Sequence, residues 1–271
     1  MGAPWLPLQW PAILLRMRAL VLGAGRGSRL NALTDDQPKP YAPIGGHRIL
    51  DWLLAALEGA GVDEVVFIGG YRADLVRNDY PHLTFRNNPD WADTNILASL
   101  MCAEDCMEEG FVVTYADILY RADVVRRAID HPGDRVLCVY TDWRSRYADR
   151  SQHPEDDAEK VITADDRIVQ VNRSIEASQA HGEYIGVARF SKAGADTLRS
   201  AYHETRRQQK GAVWKAGVPF RQAYLIHLYE QMLDADQTFH MVTTDGQYME
   251  VDTEEDFAQA NQHWPRTYGS P

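Results

Sequence analysis

The chain is predicted to fold as an α/β protein, a doubly wound, mainly parallel sheet with helices on both faces. Three observations predict it. Short apolar runs alternate with amphipathic stretches from residue 17 to about residue 140. The first run, Ala19-Leu20-Val21-Leu22, passes directly into a glycine-rich turn. No internal repeat or low-complexity segment interrupts the alternation. Sequential βα units imply strands buried on both sides, with a ligand crevice beyond their carboxyl ends.

The elements follow in order. Residues 47–60 carry apolar side chains at 49, 50, 53, 54 and 57, the spacing of a helix with one buried stripe, and Gly59 and Gly61 can end it. Residues 64–69 read as a strand, 73–79 as a short helix, 83–85 as a strand and 94–107 as a helix. Strand 111–115, helix 122–129 and strand 135–140 repeat the pattern. Residues 142–158 are polar with few apolar anchors and read as a mobile flap. Next come a hairpin over 159–172 turning at Asp165-Asp166, a strand over 184–190, and helices over 193–208 and 220–233. A late hairpin is predicted to pair 239–244 with 248–251 around Asp245-Gly246, before a closing helix from Thr253. The domain is placed at 17–262, with 1–16 an extension of unknown role, 263–271 a tail, and the hairpins and late helices a small lobe.

Composition narrows the function classes. The 271 residues can bury one large core, and 45% hydrophobic with 25% charged residues is ordinary for a globular protein. A net charge of −11 without a basic stripe argues against a nucleic-acid partner; Arg206, Arg207 and Lys210 read as a solvated helix end. Three cysteines, 102, 106 and 138, make no paired framework and suit a reducing cytoplasm. Cys102 and Cys106 have no further ligand nearby and read as small core residues. The first sixteen residues lack the layout of a signal peptide, and no apolar stretch reaches the ~20 residues that span a bilayer.

The most informative segment is Leu22-Gly23-Ala24-Gly25-Arg26-Gly27-Ser28-Arg29, with Pro38-Lys39 nine residues on. Its glycines let the backbone turn sharply and present bare N–H groups, while Arg26, Arg29 and Lys39 add positive charge. In an acidic protein this is a place to hold a polyphosphate. It is not a Walker loop, because no Gly-Lys-Ser/Thr follows Gly23 or Gly25. Nor is it a dinucleotide loop, because the sixth place from Gly23 is Ser28 and no acid stands at a strand end about 20 residues on.

L-G-A-G-R-G-S-R-L…Q-P-K-P resembles the opening of the nucleotidyltransferases, with Gly23 where that family more often has Ala. Further similar blocks are Asn88 to Leu100, Tyr115 to Tyr120, Gly182 to Val187 and Glu250 to Asp256. Together they resemble the cytidylyltransferase branch that handles phosphocholine, 2-aminoethylphosphonate and related small phospho compounds. The resemblance implies a Rossmann-like nucleotidyltransferase fold in which the small lobe takes the acceptor. It implies Mg²⁺, CTP and a small phosphate or phosphonate as partners, with pyrophosphate released. Neither nucleic acid nor a membrane is an expected partner, and a homodimer is compatible with the chain without being required by it.

Within that resemblance, Arg29 and Lys39 are expected on the triphosphate and residues 22–28 around nucleotide and phosphates. Asp117 follows a buried strand, and Asp252 has the same kind of position after Tyr248-Met-Glu-Val251. Either acid alone reads equally as a helix cap. The resemblance makes them the metal ligands, and two carboxylates beside phosphate oxygens suit Mg²⁺; Glu250 is a further candidate. Thr94, Asn95 and Ser99 are expected at the base, although Asn95 and Ser99 fit helix-start capping as well. Lys160 resembles a second phosphate-contacting lysine. Glu183, Tyr184, Tyr224 and Trp214 are expected as an acidic and aromatic wall for an ammonium group, with Arg144 and Arg146 closing from the flap. Two other readings stay open: a sugar-1-phosphate nucleotidyltransferase using UTP or another NTP, and a nucleotide-binding regulatory subunit without turnover.

Overall fold

The computed structural model describes residues 17–148, 150–152, 154–209 and 213–271; the expected extension over residues 1–16 lies outside them. In chain order the strands are β1 (Arg18–Gly23), β2 (Pro43–Ile44), β3 (His47–Arg48), β4 (Glu64–Gly69), β5 (Thr84–Asn87), β6 (Phe111–Tyr115), β7 (Ile118–Tyr120), β8 (Arg135–Tyr140), β9 (Lys160–Ala164), β10 (Arg167–Val171), β11 (Gly182–Phe190), β12 (Phe239–Thr244) and β13 (Tyr248–Glu250). The helices are α1 (Ile49–Gly59), α2 (Ala73–Asp79), α3 (Ile96–Met101), α4 (Ala122–Asp130), α5 (Trp143–Ala148), α6 (Lys192–Gln208), α7 (Leu225–Asp234) and α8 (Glu254–Tyr268).

Nine strands form one sheet in the order β5-β4-β1-β6-β11-β8-β12-β10-β9. Its helical layers lie on both faces, because successive residues of each strand point to opposite sides. Leu20 and Leu22 of β1 join a core with Leu97 and Leu100 of α3, Leu198 of α6 and Leu228 of α7. Ala19 and Val21 face the other core, with Leu53 of α1 and Val124 of α4. Burial on both faces is why β1 reads as an unbroken apolar run.

The sheet is mixed rather than mainly parallel. β1 pairs in parallel with β4 and β6, β4 with β5, and β12 with β8. β11 runs antiparallel to both β6 and β8, and β10 antiparallel to β12 and β9. The hairpin turning at Asp165-Asp166 is present, with Asp165 at φ 54°. It extends the main sheet through β11 and β12 and does not form a separate lobe.

Other expectations are corrected. Strands 239–244 and 248–250 do not pair with each other: β12 joins β8, and β13 pairs with β7 in a small second sheet. Helix 94–107 shortens to α3, and helix 220–233 starts only at Leu225. The boundary at 262 falls inside α8, whose Trp264 is buried against Trp52 in a third apolar cluster. The flap over 142–158 carries anchors: Trp143 and Tyr147 of α5 are buried, and Arg150 ion-pairs with Asp256 at 2.6 Å. Arg146 and Arg150 are paired with acids within the fold, so a polar sequence packs there. Among the described residues no helix is long and apolar enough to cross a membrane.

Candidate active site

Sheet register builds the site. Leu22 of β1 lies beside Tyr115 of β6, and the Ala116 N–H donates to the Leu22 carbonyl at 3.1 Å. The glycine turn and Asp117 therefore leave the sheet side by side. β13 then pairs with β7, Glu250 opposite Ile118, and the Val251 N–H donates to the Asp117 carbonyl at 3.0 Å. That ladder sets Asp252 next to Asp117 across 135 residues of chain. Asp256 fixes the loop further, accepting from the Asp252 and Thr253 amides at 3.1 and 2.9 Å while Thr253 caps α8.

Lys39 is the centre of the constellation. Its buried ammonium donates to Asp117 Oδ2 at 2.7 Å and to Asp252 Oδ1. Burial works against the charge, but the two carboxylates outweigh it and hold Lys39 above its ordinary pKa. Gly27 makes room for it: its φ is +68°, and a Cβ there would stand 2.6 Å from the Lys39 Cδ. Gly23 is equally constrained, since a Cβ would lie 2.4 Å from the Phe67 ring, leaving no space for the Ala commoner at this place. Arg29 bonds Asp157 at 3.0 Å and also pairs with Asp252.

These groups open on a cavity of about 370 Å³ lined by the glycine turn, Arg29, Lys39, Thr94, Asn95, Ser99, Asp117, Tyr224, Glu250 and Asp252. Most of the expected nucleotide residues thus meet in one place. Arg26 does not line it; its guanidinium pairs with Asp35 at 3.0 Å. Asn95 caps α3 through its own side chain, accepting from the Ile96 N–H at 2.8 Å, while also lining the cavity. Lys160 is withdrawn: its ammonium is spent on the backbone carbonyls of Arg173 at 2.7 Å and Glu155 at 3.3 Å, and burial lowers its pKa.

Glu183 and Tyr184 line a smaller adjoining cavity of about 50 Å³, together with Arg29, Arg173, Glu250 and Asp252. Glu183 pairs there with Arg146 and accepts from the Tyr147 hydroxyl at 2.7 Å. Trp214 packs against Phe220 and His227 and lines neither cavity. Arg144 lies over the Trp143 ring, outside both.

Sequence reasoning missed several residues. Arg173 lines both cavities, stacks 4.1 Å from the Tyr224 ring centroid and bonds Glu159 at 3.2 Å. Burial pushes the Glu159 carboxyl up in pKa, opposed by Arg173 and by the Tyr115 hydroxyl. No local motif marks Arg173. Asn88 donates at 2.9 Å to both Thr94 Oγ1 and Ser99 Oγ, so it orients two expected base contacts from behind. Its signal was its place at the head of the block that carries them.

The pair of acids suits a hard divalent cation. Two carboxylates converge on a single point that already holds a positive charge, and that point opens on the cavity with Glu250 nearby.

A family model described as "MobA-like NTP transferase domain" matches residues 19–210. The chain belongs to this family. Relatives with assigned activities agree with the resemblance read from the motifs. CTP:phosphoglutamine cytidylyltransferase of Campylobacter jejuni is 28% identical over 248 residues, 87% of this chain and 96% of that protein. 2-Aminoethylphosphonate cytidylyltransferase of Lancefieldella rimae is 27% identical over 72% of this chain and 76% of its own. The inositol-1-phosphate CTP transferase of T. maritima superposes with a TM-score of 0.70 at 20% identity, covering 94% of this chain and 98% of its own. CTP:phosphocholine cytidylyltransferase of Streptococcus pneumoniae gives 0.68 at 17%, covering 91% and 98%. These structures share the Rossmann-like nucleotidyltransferase fold.

Proposed function

We propose that this protein is a cytidylyltransferase that moves CMP from CTP to a small phosphate or phosphonate, with Mg²⁺ as its metal. One observation carries the reading: Arg29, Lys39, Asp117 and Asp252 are interlocked at the mouth of a glycine turn. Similarity to a CTP:phosphoglutamine enzyme over most of both chains supports CTP and a phospho acceptor.

The acceptor oxygen is anionic at neutral pH, so no general base is needed. That oxygen forms a bond to the α-phosphorus while the bond from the α-phosphorus to the bridging oxygen breaks, and the electron pair leaves with pyrophosphate. The obstacle is bringing anions together. Lys39 and Arg29 offset the charge of the triphosphate, and the glycine-turn amides hold it in place. Thr94, Asn95 and Ser99 face the same cavity and offer the polar groups for a cytosine edge. Asp117 and Asp252 would hold the divalent ion, which when bound supplies charge neutralisation at the α-phosphate.

The test is pyrophosphate release across the four NTPs with Mg²⁺ and with phosphocholine, 2-aminoethylphosphonate, phosphoglutamine and several sugar 1-phosphates. CTP with a non-sugar acceptor should turn over fastest. Preference for UTP with a sugar 1-phosphate would replace this reading, and tight NTP binding without turnover would point to a regulatory subunit.

A further inference from the structure

The cavity lies at the carboxyl ends of the parallel strands. At the opposite ends of β8 and β12 a second cluster of ligand-type side chains assembles from three elements. His131 follows α4, Asp166 sits in the β9–β10 turn, and His240 lies near the start of β12. One ligand atom from each lies within 4.8 Å of the other two. His240 Nδ1 stands 3.3 Å from Asp166 Oδ2, and the two imidazole rings have centroids 5.0 Å apart.

The backbone holds these residues in place. The Met241 N–H donates to the Asp166 carbonyl at 2.9 Å, and Arg167 lies in register with His240. The Gly133 N–H donates to His131 Nδ1 at 3.0 Å, and Arg189 anchors the Gly133 carbonyl at 2.7 Å.

We propose that His131, Asp166 and His240 form a binding site for a borderline divalent transition metal, Zn²⁺ fitting best, separate from the reaction centre. Two imidazoles with one carboxylate suit Zn²⁺ and are a poor set for Mg²⁺, which prefers oxygen donors throughout. Metal–ligand bonds of ~2.0–2.1 Å around a tetrahedral ion place neighbouring donors roughly 3.3 Å apart. His240 and Asp166 already stand at that separation. His131 closes the remaining gap by side-chain rotation. Asp166 is exposed and both histidines are half-buried, so water can take the fourth position. Ligation through either nitrogen of His131 gives up the Gly133 bond, because Nδ1 is then either occupied or protonated. The metal would staple the β9–β10 turn to the end of α4. That hairpin is flanked by Glu159 on one side and Arg173 on the other, both at the far end from the proposed metal.

The test uses the full chain, stripped with a chelator and returned to excess Mg²⁺, which competes for the carboxylates at the reaction centre. Zn²⁺ is titrated by calorimetry and Co²⁺ by visible absorption. One saturable Zn²⁺ per chain is expected, with Co²⁺ giving the intense bands of four-coordination. His131→Ala and His240→Ala should each weaken binding at least ~10-fold, and each should abolish any Zn²⁺-dependent rise in Tm while pyrophosphate release stays at the unsubstituted rate. No saturable binding, or equal affinity in the double variant, would overturn the site. Loss of turnover in the histidine variants would overturn its separateness.

Discussion

Replacing Lys39 by methionine tests the centre of the proposed mechanism. The new side chain keeps most of the length of the stem across Gly27 and deletes the ammonium. Asp117 and Asp252 then face each other without the cation between them. Their side chains are 28% and 10% exposed, so solvent relieves Asp117 more than Asp252. Removing one partner of a buried ion pair costs about 3–5 kcal/mol. Asp252 retains Arg29, which draws the figure toward the lower end. For a chain of this size ~3 kcal/mol corresponds to a fall in Tm of roughly 6–12 °C. Because the pKa of Lys39 is raised in the fold, its contribution is complete below the unfolded lysine value of about 10.4. It is lost only as pH rises through the folded value. The difference between the Lys39→Met variant and the unsubstituted protein should therefore stay level across neutral pH. Mg²⁺ should raise the Tm of Lys39→Met more than that of the unsubstituted protein, because a divalent ion can replace the missing charge. Turnover should fall by ~10²–10³, the scale of one preorganised donor. Scanning calorimetry with and without Mg²⁺, alongside pyrophosphate release, reads all three. A Tm within about 2 °C of the parent, with no added response to Mg²⁺, would refute the reasoning.

Asp252→Asn should leave a folded protein, because Arg29 and Lys39 still find Asp157 and Asp117, yet lose most turnover; unchanged kcat would remove Asp252 from the metal. Asn88→Ala frees Thr94 and Ser99 and should raise the KM for CTP about 5- to 30-fold, from ~1–2 kcal/mol of lost hydrogen bonding; an effect confined to kcat would contradict a positioning role. His227 is held by burial at a pKa of about 4, below its ordinary 6.5, with Glu230 opposing the shift. Its neutral form favours the fold above 6.5, and that stability drains away as pH falls from 6.5 toward 4. Tm measured across that window should decline less steeply in His227→Gln, and parallel curves would dismiss the assignment.

The parallel half of the sheet and the glycine-turn end of the candidate site were legible because local signals specify both. An apolar strand entering a glycine turn reads the same in isolation as in the fold. So do Arg29 and Lys39, spaced around that turn. What was not legible depends on partners remote in sequence. β12 and β13 look like a hairpin around Asp245-Gly246, but β8 and β7 offer each of them a better edge. Lys160 sits beside the cavity wall, yet backbone carbonyls of Glu155 and Arg173 claim its ammonium. The flap looked solvated because Arg146 and Arg150 are charged, and only the fold supplies Glu183 and Asp256 to bury them. Arg173 gains its place from the geometry of the β9–β10 hairpin, which no spacing encodes.

The reversed direction of β11 divides labour along one edge of the molecule. Its opening residues, Glu183 and Tyr184, reach the rim where β1 and β6 finish, so each side of the combined pocket is furnished by chain running a different way. The register that joins Gly23 to Asp117 is set by β1, β6, β7 and β13, and β11 meets it from one flank only, through β6. Under the proposed reading, a laboratory effort to alter the acceptor should begin on that strand and spare Arg146, which also pairs with Glu250 of the larger cavity.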